Sequence, residues 1–362
     1  MKPLNRIYEL RRDIDGINLQ LLELLNKRAE IAAEIGQIKA RQGVSQYDPQ
    51  REGEMLEMIQ QANQGPFSNE TISALFKEIF AATLAMNAET ARARLHVQRQ
   101  DDDHRTVITL KDGTRIGDGG FTIIAGPCAV ESMEQMDTTA AALAQHNVRI
   151  LRGMAYKPRT SPYHFQGLGE EGLKIARKVA DKYGMNITSE ILDMSQIPLM
   201  SQYVDIFWVG ARNMQNSFLL RALGNVRQPV ILKRSFGSTL EELLYAAEYI
   251  VSSGNPNVIL IERGIRTFER WTRNTLDISA VPLLKQETHL PVIVDISHSA
   301  GRRDIAPTLA KVVQASGADG LMVEVHPNPP VALSDAKQQL SIPEFDALMQ
   351  GLRSGVPDPI GD

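Results

Sequence analysis

One cysteine, Cys128, is the whole thiol content of this 362-residue chain. No disulfide framework can be drawn within it, which suits a reducing compartment. Charge of one sign is also scarce. The formal net charge of −4 offers none of the basic excess that marks a nucleic-acid binder. No uninterrupted apolar run reaches about 18 residues, so a membrane-spanning helix is not expected. The opening Met1-Lys2-Pro3-Leu4-Asn5-Arg6 lacks the apolar stretch of a secretory signal. A cytoplasmic location is therefore expected. What is present is ordinary for a globular protein, 43% hydrophobic and 23% charged, and the length predicts two domains or more.

The chain has two rhythms. Residues 4–90 read as helix only. Leu10, Ile14, Ile17, Leu21, Leu24, Ile31, Ile35 and Ile38 keep the seven-residue repeat of a long helix packed in a coiled-coil-like seam, which Gly43 ends. Asp48-Pro49 reads as an N-cap followed by proline at the first helical position, opening a second helix through Ile59. A third begins near Ser68 or Asn69, with Ile72, Leu75, Phe76, Ile79, Phe80 and Leu84 on its apolar face. The domain division expected is a helical domain at 1–90, a charged linker at 91–105, a β-hairpin at 106–118 around Asp112-Gly113, and a second domain at 119–355.

In that second domain apolar strands alternate with helices. The strands are expected at 121–126, 149–153, 185–190, 204–210, 229–234, 258–263, 291–297 and 320–326, with helices such as 133–145, 170–181, 239–252 and 304–315 between them. This pattern favours an α/β fold of the (β/α)8 barrel type, with an open doubly wound sheet as the alternative. Barrel chemistry sits at the C-terminal ends of the strands. Those ends bring Cys128, His298 and Glu324, with Asp335 in the following loop, a mixed soft and hard donor set suited to Mn²⁺, Fe²⁺, Co²⁺ or Zn²⁺. They also bring Arg152, Lys157, Arg159, Arg212, Lys233 and Arg263, with Glu190 among them. Taken singly, each cation is a solvated loop charge and Cys128 a small buried apolar residue. Together, cations at one rim repel unless something multiply negative binds, and phosphate or carboxylate suits bidentate arginine. Two phosphorylated substrates account for that many charges better than one.

Gly126-Pro127-Cys128-Ala129-Val130-Glu131-Ser132, Lys157-Pro158-Arg159-Thr160-Ser161, Gly210-Ala211-Arg212-Asn213, Asp295-Ile296-Ser297-His298-Ser299 and Glu324-Val325-His326-Pro327 follow one another as in 3-deoxy-D-arabino-heptulosonate 7-phosphate (DAHP) synthases. The segment 105–350 resembles the type I-beta branch. Pro158 stands where the sister 3-deoxy-D-manno-octulosonate 8-phosphate synthases carry asparagine. The resemblance implies condensation of phosphoenolpyruvate with erythrose 4-phosphate and water. It implies a divalent ion, Mn²⁺ foremost with Co²⁺, Fe²⁺, Zn²⁺ or Cd²⁺ as alternatives, on Cys128, His298, Glu324 and Asp335. It also implies phosphoenolpyruvate held by Arg152, Lys157, Ala211, Arg212, Lys233 and Arg263, and erythrose 4-phosphate held by Arg159, Thr160 and Ser161. Lys157 is the expected proton donor.

In the helical segment Arg28 occupies a seam position where Leu or Ile is due. It either snorkels out or meets an anion. Lys39 lies about 20° from it around the helix, whereas Arg11 is about 100° away and roughly 25 Å along the axis, so Arg11 would serve the same pocket only from a partner subunit. The segment resembles an AroQ-class chorismate mutase. That resemblance implies a site of Arg11, Arg28, Lys39, Asp48, Arg51, Glu52, Thr83 and Asn87, with Asn87 in place of the usual glutamine. Arg28, Lys39 and Glu52 would be catalytic in the rearrangement of chorismate to prephenate. The expected protein is a bifunctional, metal-dependent enzyme of aromatic biosynthesis, inhibited by chorismate or prephenate. It is expected to be a homodimer through its helices and, by resemblance, a tetramer. The alternatives are a helical segment that only dimerises or regulates, and a Schiff-base aldolase using Lys157 or Lys233.

Overall fold

A computed structural model describes residues 3–41, 48–92, 95–159, 161 and 163–354. They form two compact units that divide between Leu95 and His96.

The first unit is three helices: α1 (Pro3–Arg41), α2 (Pro49–Ala62) and α3 (Asn69–Arg92). The seam residues give α1 one apolar face over its whole length, but much of that face is bare in the single chain. Leu10, Ile14, Ile17, Leu21 and Leu24 are all exposed. Asp48 caps α2 as expected, its carboxylate accepting from the Arg51 amide at 3.0 Å. Ser68 does the same for α3 through the Thr71 amide, at 3.2 Å. Phe76 and Phe80 of α3 meet edge to face at 6.2 Å. The predicted stop of the first helix at Gly43 lies outside the described residues.

The second unit is a (β/α)8 barrel with a hairpin, β1 (Ile108–Thr109) and β2 (Arg115–Ile116), ahead of it. Its strands are β3 (Thr122–Gly126), β4 (Ile150–Arg152), β5 (Asn186–Ile191), β6 (Ile206–Val209), β7 (Val230–Lys233), β8 (Val258–Glu262), β9 (Val292–Asp295) and β10 (Gly320–Glu324). All pair in parallel, and β10 closes on β3 through Gly320↔Thr122 to Glu324↔Gly126, so the open sheet is excluded. Branched residues such as Ile124, Ile150, Ile206, Ile231, Ile259 and Ile293 fill the inside. The hairpin adds Ile108, Leu110 and Ile116 to the same cluster. It sits at the strands' N-terminal end, where the Thr106 amide bonds the His289 carbonyl at 2.7 Å just ahead of β9.

The charged stretch expected as a linker, 91–105, divides in two. Arg92 ends α3, while residues from His96 onward belong to the barrel unit. Val97 is fully buried, its amide donating to Glu248 at 3.1 Å, and the Arg99 amide bonds the Glu287 carbonyl at 3.0 Å. Side chains join the backbone in this docking: the Arg99 guanidinium donates to the Lys285 carbonyl at 2.6 Å and His104 stacks on His289 at 4.1 Å. Among the described residues, no helix is long and apolar enough to cross a membrane.

Candidate active site and metal centre

Strand β3 delivers the thiol. Gly126 has φ +145°, and a Cβ there would lie 2.2 Å from the Arg152 carbonyl, so only glycine lets β3 and β4 approach this closely before the chain turns at Pro127. Cys128 follows, fully buried, its amide donating to Gln339 Oε1 at 2.9 Å. His298 rides on the short helix Ile296–Ala300, capped by Asp295, the last residue of β9. Glu324 ends β10 with no exposure, and Asp335 is set in the following loop at φ +46°, a left-handed conformation that asparagine and aspartate tolerate. One donor atom from each of Cys128, His298, Glu324 and Asp335 lies within 4.8 Å of the others. The sulfur, nitrogen and oxygen donors fit a borderline divalent cation.

The electrostatics favour that use. Burial lowers the His298 imidazole below its ordinary value, against Asp295 and Glu324, which pull the other way. A neutral ring whose Nδ1 donates to Asp295 Oδ2 at 2.9 Å leaves the Nε2 lone pair available to a metal, 3.4 Å from Glu324 and 4.0 Å from Asp335. Burial also opposes ionisation of Glu324 and Asp335. Glu324 is nevertheless held low by His298 and Arg152, and Asp335 is held low by Lys157 and His298. Burial, with Glu324 beside it, pushes the Cys128 thiol far up. A bound cation reverses that, since a coordinating thiol is deprotonated outright.

The cations share the same end of the barrel. Arg152 is wholly buried, stacked 4.6 Å from the centre of the Trp208 ring, with one NH2 on Glu324 at 3.0 Å. Its Nε and NH1 are buried without a hydrogen-bond partner among the described residues, as is Arg159 NH1. Lys233 pairs with Asp295 and sits 3.8 Å over the same Trp208 ring. Burial pulls its ammonium down to about 8, with Asp295 opposing and Arg152 assisting. Lys157 Nζ is 2.6 Å from the Cys128 sulfur and 3.1 Å from Asp335. Burial works against its charge, but Cys128 and the two carboxylates more than offset this and raise it. Arg263 is lowered by burial. Lys157, Arg159, Arg212, Lys233 and Arg263 line a cavity of about 640 Å³, whereas the wholly buried Arg152 is not on its wall. That volume is room for two small phosphorylated molecules.

Not every expected residue lies there. Ala211 lines the cavity, but Ser161 does not; its hydroxyl accepts instead from the Tyr163 amide at 3.4 Å. Thr160 is outside the described residues. Other groups went unassigned in the sequence. Asp295 joins His298 to Lys233, and its spacing three residues before the histidine was the available signal. Glu190 reaches into the cavity; burial raises its carboxyl despite the nearby Lys157, Lys233 and Arg152. A Cβ on Gly210 would meet that carboxylate at 1.9 Å. Arg266 and Arg273 add charge to the wall, whereas Arg234, next to Lys233, is taken up by Glu262 at 2.9 Å and Asp277 at 2.8 Å.

In the helical unit Arg28 donates to Thr83 Oγ1 at 2.8 Å and lies 5.0 Å over the Phe80 ring, while the Asn87 amide donates to the Ala32 carbonyl at 3.3 Å. Three residues expected on one site therefore gather between α1 and α3. Asp48 is occupied as a helix cap, and Arg51 pairs with Glu54 at 3.3 Å. Among the described residues, no hydrogen bond or ion pair joins Arg11, Lys39 or Glu52 to Arg28.

Residues 105–356 match the DAHP synthetase I family, and residues 10–88 match chorismate mutase type II. The phospho-2-dehydro-3-deoxyheptonate aldolase of Thermotoga maritima is 53% identical over 265 residues, 73% of this chain and 78% of that protein. A 2-dehydro-3-deoxyphosphooctonate aldolase of Caulobacter vibrioides is 30% identical over 271 residues, 68% of this chain and 93% of that one. The crystal structure of the Thermotoga DAHP synthase superposes with a TM-score of 0.70 at 53% identity, covering 72% of this chain and 76% of that one. A truncated form of the same enzyme gives 0.67 at 50% identity, covering 71% and 94%. Fold, site and likeness converge: the chain is an enzyme of the DAHP synthetase I family, its transferase barrel joined to an isomerase domain of the chorismate mutase type II kind.

Proposed function

We propose that the barrel condenses phosphoenolpyruvate with erythrose 4-phosphate and water to give DAHP and inorganic phosphate. The observation that carries this reading is the buried Arg152 guanidinium, with two nitrogens unpartnered, bonded on its other side to a carboxylate of the metal-fitting set. An unsatisfied buried cation calls for an anion, and this one adjoins the place where a metal would lie. Cys128, His298, Glu324 and Asp335 hold the ion, with Mn²⁺, Co²⁺, Fe²⁺, Zn²⁺ or Cd²⁺ all compatible; when bound it supplies a Lewis acid for the aldehyde oxygen or for water. Arg152, Arg212, Lys233 and Arg263, with Lys157 and the backbone at Ala211, grip the carboxylate and phosphate of phosphoenolpyruvate. Arg159, Thr160 and Ser161 take the phosphate of the aldose. As C3 of phosphoenolpyruvate bonds to the aldehyde carbon, Lys157 gives its proton to the forming alkoxide. Water adds at C2 and yields its proton to Glu190, whose raised carboxyl suits a base. The C2–O bond to phosphate then breaks as the C2 hydroxyl gives its proton to the departing phosphate, leaving the ketone and inorganic phosphate.

In the helical unit, Arg28 and a partner subunit's copy of Arg11 grip the carboxylates of chorismate, Lys39 faces the breaking ether oxygen, and Asp48, Arg51, Glu52, Thr83 and Asn87 line the site. The bare apolar face of α1 supports a homodimer through this unit, and tetramer formation follows the family resemblance. Chorismate or prephenate bound here inhibits the barrel. The protein works in the cytoplasm, in keeping with its lone thiol.

The deciding experiment follows phosphoenolpyruvate consumption and chorismate loss side by side on the purified chain. EDTA should abolish the first and spare the second, and Mn²⁺ should restore it. Condensation that survives chelation would remove the metal from the mechanism, and borohydride trapping of substrate on a lysine would favour the aldolase alternative.

A further inference from the structure

The loop after β10 carries two adjacent buried amides, Gln338 and Gln339, that turn toward different parts of the metal-fitting set. Gln339 holds backbone: its Oε1 accepts from the Cys128 amide at 2.9 Å and its Nε2 donates to the Ser334 carbonyl at 2.8 Å. Gln338 holds a ligand. Its Nε2 donates to Glu324 Oε2 at 2.6 Å, and its Oε1 accepts from Arg273 NH1 at 2.8 Å. The opposite oxygen of Glu324 faces Arg152 at 3.0 Å and His298 at 3.4 Å.

Arg273 is fixed independently of Gln338. Its amide bonds the Ala300 carbonyl at 2.8 Å, and the next amide bonds the Ser299 carbonyl at 2.8 Å. The Asn274 side chain donates to the carbonyl of His298 itself at 3.0 Å. The segment bearing Arg273 is therefore laid along the helix that presents His298, and the guanidinium reaches the cavity wall 3.8 Å from Asp335. An amide has one acceptor end and one donor end. With Arg273 claiming the oxygen, Gln338 can only offer its NH2 to Glu324.

We propose that Gln338 is a positioning residue for the metal. Oriented by Arg273, it ties down Oε2 of Glu324 so that Oε1 alone points at the bound ion. The inference rests on the assignment of Cys128, His298, Glu324 and Asp335 as ligands. Partners that orient a ligand in this way typically govern metal affinity about tenfold to a hundredfold.

The test is direct Mn²⁺ binding, read by electron paramagnetic resonance of free Mn²⁺ and without turnover, on the full-length chain. Gln338→Leu, close in size and unable to hydrogen-bond, should weaken binding about tenfold to a hundredfold. Gln338→Glu keeps the acceptor for Arg273 and is the companion variant should the leucine variant fail to fold. It sets a second carboxylate against Glu324, so its Mn²⁺ affinity should differ from wild type by at least several-fold. Arg273 also lies 3.8 Å from the ligand Asp335, so its loss acts there directly as well; in the Gln338→Leu background Arg273→Met should cost less than it does alone, the difference being the share it exerts through the amide. Wild-type affinity in folded Gln338→Leu or in Gln338→Glu would overturn the proposal, as would additive losses in the double variant. A wild-type chain that binds no Mn²⁺ would instead overturn the ligand assignment beneath it.

Discussion

Lys233 carries its charge in a buried place, flanked by Asp295 on one side and the Trp208 face on the other. With its ammonium drawn down to about 8 by burial, it is charged at neutral pH and loses that charge in mildly alkaline buffer. The loss removes a cation from the end of the cavity proposed for phosphoenolpyruvate. KM for phosphoenolpyruvate should therefore rise from pH 7 to pH 9, roughly tenfold by one unit past the transition, and Lys233→Met should flatten that limb while starting from a higher KM. An unchanged alkaline limb in the variant would assign it to another group. Stability runs in the opposite sense. The unfolded lysine keeps its proton to about pH 10.4, so the cost of burying the charge is complete below 8 and fades as pH rises through 8 toward 10. Legibility differed among the residues. Cys128, His298 and Glu324 stood out because polar groups ending apolar strands need a reason. Gln338 and Gln339 gave no signal, because an amide in a loop looks alike whether it faces solvent or a ligand.

Elements decide how closely the site is gathered. The β3–β4 pairing admits Cys128 and Arg152 side by side only because Gly126 has no side chain. Gly126→Ala adds a methyl against the Arg152 carbonyl and a positive φ that an alanine resists. It should cost about 1–3 kcal/mol in urea unfolding and lower Mn²⁺ affinity, since Cys128 is two residues on. Retention of both would mean that the strands have slack to shift. In the helical unit, Arg28 bridges α1 and α3 through Thr83. Arg28→Ala should abolish chorismate loss while condensation by the barrel unit continues, a split that an assay of both reactions reads directly.

At the scale of the whole molecule, α1 presents Leu10, Ile14, Ile17, Leu21 and Leu24 to solvent in a single chain, a continuous apolar stripe that isolated soluble proteins rarely tolerate. Light scattering should therefore report at least a dimer, and Ile17→Asp with Leu21→Asp should dissociate whatever contact α1 makes. A chain that is monomeric at micromolar concentration would deny the stripe this role. Prephenate should lower the synthase rate of the full chain and leave residues 96–362 unaffected, and equal inhibition of both would place the effector on the barrel. The second unit holds its own core and its own floor hairpin, so it is expected to fold without the first.

Periodicity, with the Asp48-Pro49 cap, placed the three N-terminal helices and the eight barrel strands, while the helices Ser217–Leu223, Ala280–Glu287 and Ile342–Arg353 went unplaced. A seven-residue repeat forces one apolar face onto α1, and short apolar runs bounded by helices force a parallel sheet with both faces covered. The ligand candidates were equally legible, because the end of a barrel strand is the one position that is both rigid and open to substrate. Closure of the barrel was decided in three dimensions, through pairing of β10 with β3. So were the docking of residues 96–106 beneath the barrel, the role of Asp295 between His298 and Lys233, and the turning of Arg234 away toward Glu262 and Asp277. Each of these depends on contacts between segments far apart in the chain, and local sequence encodes how a segment folds more directly than which distant partner its polar groups will find.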